Sequence, residues 1–117
     1  MAYIPPNNVI SPQDSWSLNC VIYDEGKGGI AVSFGQWDGN QVIAMRWNGT
    51  DKPHKGLGNP QSSGHPTWFI LPLEIGISVI KDIIVKQATG NTHVNQQCLT
   101  TVINWLKNIG KLNSNMY

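Results

Sequence analysis

Arg46 is the only arginine in this chain of 117 residues, and it stands just before a 19-residue run, 48–66, made largely of Gly, Pro, Asn, Ser and His. A planar guanidinium at that place can hold a carboxylate or phosphate through two parallel hydrogen bonds. The competing reading is structural: Arg46 pairs with Glu74 or Asp51 and ties the loop to its strand. Within the run, Asn48, Asn59, Gln61 and Ser62 carry amide and hydroxyl groups among several glycines, a composition that can cradle an anion or a polar ligand with backbone N–H groups. The run has no GxxxxGK[ST] spacing. A turn-rich loop whose Asn and Ser side chains satisfy their own backbone is the plainer account of the same residues.

His54 and His65 lie in the same run near Asp51, Lys52 and Lys55, a grouping able to serve general acid–base chemistry. Their spacing matches neither a metal-ligand pattern nor a catalytic triad, no serine sits in a nucleophile elbow, and His93 just before the last helix is expected to cap or to be solvated. The carboxylates Asp24, Glu25 and Asp38 fall in hairpin turns, where turn geometry accounts for them. The candidate ligand contacts are therefore Arg46, Asn48, Asn59, Gln61, Ser62 and His65. Trp37, beside an Asp-Gly turn, joins them as the tryptophan expected to be most exposed. No metal or cofactor is called for.

A connection as long as 48–66 with no apolar period is uncommon inside a compact domain and marks a binding or catalytic loop or else disorder, the anchored ends favouring the loop. Its borders are anchored by Trp47 on one side and Trp68-Phe69 on the other. Before it, Trp16, Leu18, Cys20 and Ile22 alternate with Ser17, Asn19, Val21 and Tyr23 up to a turn at 24–29. Ile30, Val32 and Phe34 alternate next, and Asp38-Gly39 supplies a tight hairpin into Ile43, Met45 and Trp47. After the loop, 67–71 is an apolar run between prolines, a short buried fourth strand. Trp16, Trp47 and Trp68 read as core, with Trp105 reaching in from the last helix.

Residues 73–87 are rich in β-branched types, yet Glu74, Ser78, Lys81, Asp82 and Lys86 recur at helical steps, with Glu74 in the first turn and Lys86 near the last. A second helix carries Val94, Cys98, Val102, Leu106 and Ile109 on one face, capped by Asn91 or Thr92 and stopped by Gly110. The expected fold is α+β: a three- or four-stranded antiparallel meander packed against two C-terminal helices. It forms a single domain over 1–117, frayed at 1–12 and 111–117.

Charged residues are only 13% of the chain and the net charge is +1, while Asn and Gln number 12 and 7. Neither an acidic tail nor a nucleic-acid stripe is visible, and a surface so poorly protected by charge suits a homodimer. Cys20 and Cys98 lie 78 positions apart in apolar patterns and read as buried free thiols. The first residues show no basic and hydrophobic leader, so a soluble cytoplasmic protein is expected.

At Arg46-Trp47-Asn48-Gly49, then Gly58-Asn59-Pro60-Gln61-Ser62-Ser63-Gly64, then Pro66-Thr67-Trp68-Phe69-Ile70-Leu71-Pro72, the chain resembles small uncharacterised bacterial proteins carried on mobile elements such as integron gene cassettes. The resemblance implies a compact bacterial accessory protein; it carries no activity, cofactor or catalytic residue. The residues favour a non-catalytic binding module that holds a small polar or anionic ligand, or a protein partner, at the 48–66 loop. The alternatives are a small hydrolase- or transferase-like enzyme using a loop histidine and a nucleic-acid-binding accessory protein. Weak net charge disfavours the latter.

Overall fold

The computed structural model describes residues 3–53 and 55–113. Strands β1 (Trp16–Asp24), β2 (Ile30–Trp37) and β3 (Asn40–Trp47) form an antiparallel meander, and β6 (Phe69–Ile70) adds to β3, giving the order β1-β2-β3-β6. The remaining strands, β4 (Gln61–Ser62) and β5 (His65–Pro66), make a separate small hairpin within the long loop. Helices α1 (Leu73–Ala88) and α2 (Gln96–Asn108) follow. The α+β architecture is the one the hydrophobic periods require.

The β2–β3 hairpin turns at Asp38 and Gly39, whose φ angles of 49° and 83° are the positive values a two-residue turn of this hand demands. From there β2 and β3 pair without interruption, from Trp37 opposite Asn40 to Ile30 opposite Trp47. β1 is less regular. Its register against β2 slips between Leu18 and Cys20 and again between Val21 and Tyr23. Each slip adds a residue and reverses which face the following side chains take. Trp16 and Leu18 therefore pack on one side of the sheet and Cys20 and Ile22 on the other, so the single alternating face expected for these four residues does not exist.

Both faces of the sheet are covered. On one, Ile22, Val32, Phe34 and Ile43 meet Ile77, Ile80 and Ile83 of α1 and Leu99, Val102 and Leu106 of α2. Trp105 lies 5.2 Å, centroid to centroid, from Phe34. On the other face Trp16, Val21, Ala31, Ala44 and Trp68 are covered by an N-terminal strap that contributes Val9 and Ile4. Trp68 donates its indole N–H to the Val9 carbonyl at 2.7 Å. Fraying over 1–12 is thus corrected for the described part: Pro6 and Val9 are buried because the sheet's second face needs a cover. At the other end Leu112 is buried in the helix-side core, while residues 1–2 and 114–117 lie outside the described residues.

Two further expectations change for local reasons. The fourth strand pairs only Phe69 and Ile70, because Thr67 gives its N–H to Pro60 and its carbonyl to Arg46 instead of to a ladder. The second helix is capped by Asn95, whose side chain accepts the Cys98 N–H at 3.0 Å. Asn91 and Thr92 fall short of it because Val94 bridges Tyr23 and Asn95 donates to Ile22, so the chain runs along β1 before it coils.

Cys20 and Cys98 are not free thiols but a disulfide, with Cα atoms 5.9 Å apart, joining β1 to α2. The slip after Leu18 turns Cys20 toward the helices, and the cap at Asn95 sets Cys98 in the first turn of α2 facing it. Closing a loop with a sequence separation of 78 contributes about 4 kcal/mol by chain entropy. Thiol titration of the denatured, unreduced protein is expected to find no free cysteine, and Cys98→Ser to lower the unfolding free energy by ~4 kcal/mol in denaturant melts. Reactive thiols in the native chain would refute the bond.

Candidate functional site

Arg46 is the most committed side chain of the loop region. It is only 3% exposed at the end of β3, and its two terminal nitrogens donate to the backbone carbonyls of Leu57 and Thr67. The guanidinium also lies over the Trp68 ring, 5.9 Å from its centroid, which suits a weakly hydrated planar cation. Burial pulls its pKa down to about 10. Neither Glu74 nor Asp51 pairs with it: Glu74 faces Lys111 and Asp51 faces Lys27. Arg46 thus holds the two limbs of the loop through carbonyls, leaving only its buried Nε without a partner.

The glycines let the limbs come this close. A Cβ on Gly58 would sit 2.2 Å from the Trp47 carbonyl and 2.6 Å from the Arg46 guanidinium, and its φ of +64° is itself left-handed. Three backbone N–H groups here are already spent: Gly58 donates to Lys55, and Asn59 and Trp47 exchange both backbone bonds at 3.0 and 2.8 Å. Gln61 likewise gives its amide to the Gly58 carbonyl at 2.8 Å. The turn-rich account of these residues therefore describes the backbone.

What the backbone leaves is a polar pocket of about 470 Å³ against the end of β3, lined by Trp47, Asn48, Thr50, Lys55, Asn59 and Gln61. Asn48 is 5% exposed; its side-chain N–H groups donate to the Asp24 carboxylate at 3.0 Å and the Gly26 carbonyl at 2.8 Å, while its carbonyl oxygen is buried without a partner. On the other side of Trp47 is an apolar groove of about 510 Å³, lined by Ile30, Met45, Pro60, Phe69 and Leu71. Trp47 and Phe69 are 59% and 58% exposed, unusual for aromatic side chains in a small domain.

Trp47 has the parity of Ile43 and Met45, which reads as core, but the helix layer does not cover it. Nothing in the local pattern distinguishes it; the strand simply outruns the helices. Phe69 was equally invisible, since its exposure depends on how little of β6 is paired. Of the seven candidate contacts, Asn48, Asn59 and Gln61 line the polar pocket and Arg46 lines the apolar groove. Ser62 and His65 stand exposed, paired with each other through backbone on the β4–β5 hairpin. Trp37 is at the far end of the sheet, half-buried against the strap-side core rather than the most exposed tryptophan. His54 lies outside the described residues.

The strap is pinned to the same loop. Asp51 accepts from the Lys27 ammonium and from the Tyr3 backbone N–H at 3.2 Å, and Lys27 lies 5.7 Å from the centroid of the Tyr3 ring. The Lys27 bond first, then the Tyr3 N–H, hold the Asp51 carboxyl below its ordinary value of 3.8. Compared with protein-family models, curated proteins and solved structures, the chain matches none.

Arg46→Ala leaves two carbonyls without donors and is expected to cost about 3 kcal/mol and to open the 48–66 loop to limited proteolysis; Arg46→Lys, with a single donor point, restores only part of this. Unchanged stability and protease resistance in Arg46→Ala would refute the anchoring role. Because the Asp51 pKa is depressed on folding, its tether is present above 3.8 and lost as pH falls through the lower folded value. The Tyr3 amide resonance is expected to titrate with a midpoint below 3.8, and to stop doing so in Asp51→Asn.

Proposed function

We propose that this chain is a non-catalytic binding module whose site is the 48–66 loop, taking a small polar ligand at the end of β3. The observation that carries this reading is Trp47, a 59% exposed residue that lines both the polar pocket and the apolar groove. Cavities of this size, part apolar and part lined by a few polar side chains, are the usual form of small-molecule sites. An anionic ligand loses support because Arg46 is spent on carbonyls, and Lys55 is the one charged residue that lines the polar pocket.

The catalytic reading gains nothing from the geometry of His65, whose ring has no hydrogen bond to another described side chain. Nucleic-acid binding is also poorly served, since Lys27, Lys86 and Lys111 each pair with a carboxylate. Exposed Ile75 and Val85 on α1 leave room for self-association. No described helix is long and apolar enough to cross a membrane. The Cys20–Cys98 bond suits an oxidising compartment better than the cytoplasm, so we place the module in the former. A compact accessory role agrees with the resemblance to mobile-element proteins.

A thermal-shift and tryptophan-fluorescence screen of small polar compounds tests the reading. A true ligand at a hundred times its Kd raises the unfolding free energy by about 2.7 kcal/mol. Trp47→Ala is expected to keep its own melting temperature but lose that response. A ligand bound equally by wild type and Trp47→Ala would sink the assignment.

A further inference from the structure

We infer that the Cys20–Cys98 bond is a site of thiol–disulfide exchange, open to a small-molecule thiol at Cys20 and able to free the first turn of α2 from β1 while the domain stays folded. β1 is the outermost strand of the sheet, so the bond joins an edge strand to the start of a helix. Both cysteines line one surface cavity of about 410 Å³, together with Asn19, Asn95, Gln97 and Thr101. Cys20 also borders a second cavity, of about 500 Å³, shared with Asn7, Ile10 and Gln13. Neither cavity is lined by a charged residue, so no carboxylate stands there to repel an incoming thiolate.

The two ends of the bond are not equivalent. Cys98 is 3% exposed and Cys20 is half-buried, so the approach from solvent is to Cys20. Cys98 is the third residue of α2, and the N-terminal turn of a helix stabilises negative charge forming on a departing sulfur. Access and leaving-group chemistry therefore select the same direction. A thiolate attacks Cys20 Sγ, the Cys20–Cys98 S–S bond breaks, and its electron pair leaves on Cys98 Sγ, which solvent then protonates. A second thiolate attacks the small-molecule sulfur of the mixed disulfide, releasing Cys20 and a low-molecular-weight disulfide. The protein bond gains two electrons and two thiols are oxidised.

Other contacts hold the joint once the bond is open. Asn95 donates its N–H to the Ile22 carbonyl at 2.8 Å, Asp24 donates to the His93 carbonyl at 3.1 Å, and Val102 and Leu106 remain in the helix-side core. Reduction thus loosens the start of α2 and leaves the rest of the helix packed. An oxidising compartment keeps the clamp closed, and a reducing thiol opens it.

The test treats the full oxidised chain with reduced glutathione near neutral pH, without denaturant, with acid quenching and peptide mapping by mass spectrometry. Reduction is expected within about tenfold of the rate in the urea-unfolded chain, with trapped glutathione on Cys20 and the free thiol on Cys98. A bond that opens only through global unfolding reacts about a thousandfold slower or more, at a rate that climbs with urea. That result, or glutathione on Cys98, overturns the exchange site. Hydrogen exchange on the reduced chain gives the second reading. The Asn95 and Leu99 amides are expected to exchange about tenfold faster than in the oxidised chain, while those of Ser33 and Ala44 in β2 and β3 keep their protection. Protection lost throughout, or unchanged at Asn95 and Leu99, overturns the clamp.

Discussion

A buried cation, Arg46, organises the loop end of this molecule. Arg46 points inward from the end of β3 and holds the carbonyls of Leu57 and Thr67, residues on opposite limbs of the loop. Without a guanidinium there, the Leu57 and Thr67 carbonyls would lose the donor that draws the two limbs together. With it, Trp47 and Asn59 pair through backbone, Gly58 is pressed against both, and Thr67 is drawn out of the fourth strand. The cost of burying a charge without a carboxylate shows in its lowered pKa, and the stacking over Trp68 offsets part of it. Arg46 therefore shapes the pocket instead of filling it.

The sheet imposes the other main constraint. A meander whose strands are apolar on both sides must be covered twice, and the two α-helices among the described residues both lie on one face. The second cover comes from the N-terminal strap, drawn across Trp16 and Trp68 and fastened at Val9 and at Asp51. The strap, the loop and the sheet thus share residues: Trp68 bonds the strap, supports Arg46 and leads out of the loop. The disulfide does for β1 and α2 what Arg46 does for the loop, joining segments far apart in the chain.

Much of the fold is legible in particular residues. The alternation in β2 and β3, the Asp38-Gly39 turn and the helical steps from Glu74 to Lys86 each report a local preference that the tertiary structure does not oppose. The misread places are those where a long-range partner intervenes. β1 alternates cleanly on paper, yet two slips redistribute its side chains. Asn91 looks like a cap, yet pairing of Val94 with Tyr23 moves the start of α2 to Asn95. Val9 has no periodic neighbour, yet it is fully buried because Trp68 offers it a donor and a surface.

At the candidate site the division is sharper. The composition of 48–66 already marks a loop rich in amides and poor in charge, and Asn48, Asn59 and Gln61 stand out within it. These follow from residue type alone. Whether Arg46 faces a ligand or a carbonyl, whether Trp47 is core or rim, and whether Cys20 meets Cys98 depend on what lies opposite each in space. Side-chain chemistry sets what a group can bond, and that is written in the chain. Which partner is within reach, and whether water still competes for the group, is decided only once the helices stop short of Trp47 and the loop closes over Arg46.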